Sequence, residues 1–254
     1  MGLAERLQLF GKQSSFSDSL PANYNLQAME EARIAELLAP FLGDDEAGIS
    51  SAQLWSISIY IDILLRWNAR INLTAVRNPE EIVTRHFGEA LFSARYLFPK
   101  AGMPTSSGLR FTQALTRPRV IDVGSGAGFP GVPFKLWAPH VHLTLIEANQ
   151  KKATFLREIV RSLALLDVEV FAGRVETFLG QKADIVTLRA VERFDTILPS
   201  AAALVGSRGR LAILIGAAQL EKLGRLAATL RWAEPVPLPL SDNRMLILGS
   251  KDAN

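Results

Sequence analysis

Apolar positions along the chain change their spacing near residue 119. Before that point they recur at helical intervals over 27–42 and again over 51–67, separated by Gly43-Asp44-Asp45-Glu46, with Ser50 or Ser51 placed as an N-cap. A third helix is announced by Asn78 as cap, Pro79 at the first helical position, and Glu80 and Glu81 where the helix dipole favours carboxylates; it should run to about Tyr96. Residues 1–26 show little periodicity and are expected to be a flexible extension. The segment 98–119, punctuated by Pro99, Gly102, Pro104, Gly108 and Pro118, is expected to be a loop.

After residue 119 short apolar runs alternate with helical segments. Strands are predicted at 120–123, 141–146, 168–171, 184–188 and 210–215, and helices from about Gly131 and over 151–165, 195–205 and 217–231. Such alternation specifies a parallel sheet with crossover helices. The tail differs: 236–240 and 245–248 flank Ser241-Asp242-Asn243-Arg244 and suggest an antiparallel hairpin at the sheet edge. The expected organisation is an extension (1–26), a helical cap (27–98), a loop (99–119) and an α/β core (120–250).

Composition narrows the chemistry. The 254 residues, 48% hydrophobic and 21% charged, suit one principal globular domain. There is no cysteine, which removes disulfides, thiolate metal sites and every cysteine nucleophile. No apolar run approaches the roughly 20 residues of a membrane helix. No export signal or lipid anchor is expected, so a cytoplasmic location without membrane contact is. Residues 1–65 carry 3 Lys/Arg against 9 Asp/Glu, whereas 66–119 carry 9 Lys/Arg against 3 Glu. The basic middle segment is either a solvated charge run or a face for a polyanion, and charge alone leaves both open.

The densest chemical signal is Val120-Ile121-Asp122-Val123-Gly124-Ser125-Gly126-Ala127-Gly128-Phe129-Pro130-Gly131, a buried strand entering a glycine turn and then a helix. Glycines allow positive φ and a close backbone approach to a ligand. Glu147, 23 residues after Gly124, ends the next strand, where a doubly wound sheet places the acid that binds ribose hydroxyls. Residues 126–131 also match the dinucleotide fingerprint G-x-G-x-x-G, so a nucleotide-dependent oxidoreductase is a competing reading. Counted from Gly124, which directly follows the strand, the pattern is D-x-G-x-G-x-G and is similar to the S-adenosylmethionine loop of class I methyltransferases, with Phe129 near the adenosine or sulfonium. Arg174-Val175-Glu176 follows the third strand, within reach of an adenine or simply starting a helix. Arg189 ends the fourth strand, on the ligand-binding side of such a sheet.

Absences constrain the methyl acceptor. Attack at C5 of a pyrimidine needs a thiolate, which is missing. Exocyclic-amine methylation generally uses an Asp/Asn-Pro-Pro-aromatic run after the fourth strand, and Leu188-Arg189-Ala190-Val191 is not one. Guanine N7 carries no proton and needs no general base, so catalysis reduces to orientation, which can supply on the order of 7–11 kcal/mol. Arg189 is the expected positioning group, meeting guanine O6 or phosphate as a planar fork.

Taken in order, Trp67-Asn68, Asn72-Leu73-Thr74-Ala75-Val76-Arg77-Asn78-Pro79, Arg85-His86-Phe87, the glycine turn and Arg174-Val175-Glu176 resemble the bacterial GidB/RsmG family over about residues 27–250. That family methylates guanine N7 in small-subunit (16S) ribosomal RNA. The resemblance implies a class I methyltransferase fold, a seven-stranded, mostly parallel sheet with an antiparallel edge hairpin and an N-terminal helical cap. It implies S-adenosylmethionine contacts at Gly124, Gly126, Gly128, Phe129, Glu147, Ala148, Asn149, Val175, Glu176 and Arg189. It also implies an RNA face made by Asn68, Asn72, Arg77, Arg85 and His86, although the two asparagines could equally tie a helix end and His86 could be a satisfied interior histidine. Glu89 and Glu147 stand where the family commonly has Asp. No metal is expected, and the protein is expected to act as a monomer on RNA alone or on a partly assembled subunit. An RNA-binding module with a degenerate cofactor pocket is the non-enzymatic alternative.

Overall fold

A computed structural model describes residues 29–43, 48–99, 117–191 and 193–252. The expected extension at 1–26 and most of the expected loop lie outside the described residues.

Three helices form the cap. α1 (Glu31–Leu42) ends at Gly43, in the left-handed region at φ 67°. α2 (Ser51–Ile71) begins with a capping box, in which the Ser50 hydroxyl accepts from Gln53 N and the Gln53 amide oxygen accepts from Ser50 N. Its last residue, Ile71, lies four residues beyond the predicted limit, and the C-cap Asn72 is left-handed at φ 49°. α3 starts as Pro79–Ile82 under the Asn78 cap, widens into a π-helix over Val83–Gly88 and finishes as Glu89–Leu97. The widened stretch packs on α1, and Gly88 makes that possible: a Cβ there would lie 2.6 Å from the Phe41 ring.

The core sheet contains β1 (Arg119–Val123), β2 (His142–Ile146), β3 (Val168–Phe171), β4 (Ala183–Arg189), β5 (Val205–Gly216), β6 (Arg231–Trp232), β7 (Val236–Pro237) and β8 (Arg244–Ser250). Its order is β3-β2-β1-β4-β5-β8-β6, with β7 also on β8; the first five strands are parallel and β8 is antiparallel to β5. The seven-stranded expectation becomes eight because the edge position is split. β6 pairs with the Gly249–Ser250 end of β8 and β7 with its Met245–Leu246 end, so together they fill one place in the order. The predicted 217–231 helix is correspondingly short: a 3-10 turn (Ala217–Gln219) and Leu220–Leu226 are followed by a turn, because Arg231 and Trp232 join the sheet.

Helices α4 (Gly131–Trp137) and α5 (Gln150–Ser162) follow β1 and β2, and α6 (Phe194–Leu204) and α7 (Leu220–Leu226) cover the opposite face. Side chains alternate across β1: Val120 belongs to one apolar cluster and Ile121 to the other. The first cluster joins cap residues Ile34, Leu38, Tyr60 and Phe87 to Val120, Leu143 and Leu145 of the sheet. Cap and sheet thus share one core. The Trp137 indole also donates to Phe98 O at 3.0 Å, tying α4 to the end of the cap. Among the described residues no helix is long and apolar enough to cross a membrane.

Candidate active site

The carboxyl ends of β1, β2 and β4 open into a cavity of about 540 Å³, floored by the glycine turn and Glu147 and roofed by Leu73, Thr74, Ala75 and His86 of the cap. The floor is largely backbone. Gly124 N and Ser125 N both donate to Ile146 O, which locks the turn to the end of β2. Gly126 has φ 57°, and a Cβ there would meet nothing closer than Gly124 O at 3.8 Å, so this glycine leaves open room on the cavity side. Glu147 accepts from Gly126 N at 2.8 Å and Asn149 N at 2.7 Å, which aims the carboxylate across the turn. Asn149 caps α5, its side chain accepting from Lys151 N and Lys152 N.

Beneath the turn, Asp122 is fully buried. One oxygen accepts from Gly131 N at 3.2 Å and the other has no partner among the described residues. Burial pushes its carboxyl up to about 7.

The roof is made of side chains. His86 leans on Phe129 with ring centroids 4.8 Å apart, and Phe129 stacks on Tyr60 at 5.4 Å and 7°. The Tyr60 hydroxyl donates to Ala127 O, so α2 is fixed to the glycine turn. His86 Nδ1 lies 3.2 Å from Arg189 Nη2 and its Nε2 lies 2.8 Å from Thr74 Oγ1, so each ring nitrogen has a polar neighbour. Burial, with help from the Arg189 and Arg85 charges, lowers the imidazole to about 3 and keeps it neutral.

Arg189 is held more firmly than its assigned role requires. Its guanidinium donates to Glu89 Oε2 at 3.0 Å and to the carbonyls of Arg85 and His86 on the π-helical stretch. Glu89, 1% exposed, also takes Arg244 Nη2 at 2.6 Å and Nε at 2.8 Å. A carboxylate on the cap thus joins the ends of β4 and β8. Burial lowers the Arg189 pKa while Glu89 opposes the shift.

The expected site residues divide accordingly. Gly124, Gly126, Phe129, Glu147, Ala148, Asn149 and Arg189 line the cavity. Gly128 does not: its φ is 85°, and a Cβ would fall 2.3 Å from the Tyr60 hydroxyl, so it is a packing glycine under the cap. Val175 and Glu176 sit on a 3-10 turn away from the cavity wall, Val175 packed in the apolar cluster on the far face and Glu176 exposed. Among the expected RNA residues, His86 is on the wall and Asn72 and Arg77 are exposed. Asn68 is 3% exposed, with its amide spent on Thr74 N and O, so it shapes the loop beneath the roof instead of facing outward. Arg85 is exposed and pairs with Glu81 at 2.8 Å. Sequence reading missed Tyr60, Thr74, Lys152, Arg193 and Arg244. Thr74 lay inside the run from Asn72 to Pro79, and Arg244 was read only as part of the hairpin turn; it meets its partner from 155 residues away.

Strand order, reversed β8, the glycine turn after β1 and the acid after β2 define a class I methyltransferase. The GidB family, rRNA small subunit methyltransferase G, matches residues 53–234. Ribosomal RNA small subunit methyltransferase G of Bacillus subtilis (strain 168) is 31% identical over 222 residues, covering 82% of this chain and 86% of that protein. The Roseiflexus castenholzii protein of the same name is 34% identical, covering 79% and 84%. The chain belongs to this family and is a methyltransferase of small-subunit ribosomal RNA. Among solved structures, P. horikoshii TYW2 in complex with MeSAdo matches at TM-score 0.50 and 14% identity, covering 66% of this chain and 63% of that one, a likeness of fold.

Proposed function

We propose that the chain transfers the methyl group of S-adenosylmethionine to N7 of a guanine in small-subunit ribosomal RNA. The residues fit the donor: open room beside Gly126 and a carboxylate fixed at the cavity floor by Gly126 N and Asn149 N. When bound, the donor supplies an electrophilic methyl group. Glu147 would hold the ribose hydroxyls, and Gly124 and Gly126 the backbone side of the nucleoside.

One observation carries the choice of N7. The ionisable residues on the described wall are His86, Glu147, Lys152, Arg189 and Arg193. His86 is neutral with both ring nitrogens occupied, Glu147 is turned onto two backbone N–H groups, and the rest are cations. Among the described wall residues no group stands ready to remove a proton from an acceptor, which suits a ring nitrogen that has none. The neutral imidazole also avoids repelling a product base that gains positive charge. Arg189, tied to Glu89, supports this geometry as a positioning residue: it fixes the roof carbonyls and the His86 ring.

The test is to incubate the protein with labelled S-adenosylmethionine and small-subunit RNA lacking the modification, as free RNA and as subunits, then cleave chemically at 7-methylguanosine. Cleavage at one guanine carrying the label is expected. Label on an exocyclic amine or on a ribose would overturn the N7 reading.

A further inference from the structure

The cavity wall is more cationic than methyl transfer to a neutral base requires. Lys152, Arg189 and Arg193 stand on it with Glu147 as the one described carboxylate. Arg189 shares the Glu89 carboxylate with Arg244, which leaves one positive charge on that group, and Glu147 accepts from Gly126 N and Asn149 N. Lys152 and Arg193 make no ion pair with a described residue. Lys152 belongs to the first turn of α5, after β2, and Arg193 is the N-cap residue of α6, after β4. β1 lies between those strands, and α5 and α6 lie on opposite faces of the sheet, so the two cations stand on opposite sides of the end of β1. They flank the glycine turn.

The first turn of α6 does not cancel this charge. Its acid, Asp195, is paired with Lys222 at 3.0 Å and 3.2 Å. On the cap, by contrast, the Arg85 charge is already answered by Glu81.

We propose that Lys152 and Arg193 grip the backbone phosphates on the two sides of the target nucleotide while its base turns into the cavity. The inference rests on the RNA methyltransferase reading and adds the substrate-holding residues. A base inside a folded RNA reaches a recessed methyl donor only by leaving its stack, and its flanking phosphates then stay at the mouth. An RNA strand brings a phosphate on each side of the base, which matches two separated cations. The donor's amino-acid end brings a single carboxylate.

The test compares Lys152→Ala, Arg193→Ala and the double variant with the wild type. Binding to small-subunit RNA is measured across a salt series, binding of S-adenosylmethionine by calorimetry, and methyl transfer by KM and kcat. Each lost phosphate contact should flatten the plot of log K against log salt by roughly 0.7, so the double variant should lose about 1.4. RNA KM should rise about 3- to 10-fold per substitution while donor affinity moves less than about two-fold, since only phosphate neutralisation is removed. Arg193→Lys and Lys152→Arg should recover the slope, which a merely structural role would not predict. A ten-fold loss of donor affinity with an unchanged salt slope would reassign the pair to the donor's carboxylate and overturn the proposal, as would unchanged values throughout. If wild-type protein binds the RNA but transfers no methyl group, the function reading fails on its own, and the salt slope still decides the clamp.

Discussion

The floor and the roof of the cavity are built by different means. On the floor the contacts are short in sequence and mostly backbone: Asp122 takes Gly131 N across 9 residues and Glu147 takes Gly126 N across 21. On the roof they are side chains meeting across the fold, with Glu89 joined to Arg189 over 100 residues and to Arg244 over 155. A floor of backbone is fixed once β1 and β2 pair. The roof exists only when the cap has docked, so its geometry depends on a few buried charges being matched.

The largest effect should come from breaking the roof. Glu89→Gln leaves Arg189, with its side chain 12% exposed, facing an uncharged amide, and unfolding in urea should show a loss of about 3–5 kcal/mol. A loss below about 1 kcal/mol, the size of an exposed ion pair, would show that the cap docks without this carboxylate. Gly128→Ala should cost about 2–5 kcal/mol, since it adds left-handed strain to a Cβ placed 2.3 Å from the Tyr60 hydroxyl. Gly126→Ala sharpens the contrast. With open space around the new Cβ it should cost only about 1–2 kcal/mol, yet weaken S-adenosylmethionine binding strongly in calorimetry.

A smaller effect belongs to Asp122. Its carboxyl sits at about 7 in the folded protein against an ordinary value of 3.8, so the folded state holds the proton more tightly than the unfolded chain does. The resulting stabilisation is full below about pH 4 and is lost as the pH rises toward 7. Asp122→Asn should therefore flatten the fall in melting temperature between pH 4 and pH 7, and an unchanged slope would place the titration elsewhere. Smallest of all, Arg85→Ala should change stability by less than about 1 kcal/mol, because its pair with Glu81 is exposed.

The same division explains what could be read from residues alone. The order of strands and helices, the Asn78 cap with Pro79, and the turn from Gly124 to Gly131 with Glu147 beyond it follow from local spacing and backbone requirements, which sequence displays. Gly128 was legible as a required glycine but not in its purpose, because the atom excluding a side chain there belongs to Tyr60, on a different helix. Asn68 carried the signature of a polar contact, and only the fold shows that Thr74 consumes it. Arg244 opens β8 directly after Ser241, Asp242 and Asn243, which all signal solvent, so nothing nearby marks it as the partner of a buried acid. The strand expected at 236–240 is present as β7, but β6 escaped because its two residues are too few to show alternation.

The bolt between Tyr60 and the carbonyl of Ala127 has a consequence for turnover. Any lid-like lifting of α2 from the glycine turn between rounds would have to break that hydrogen bond.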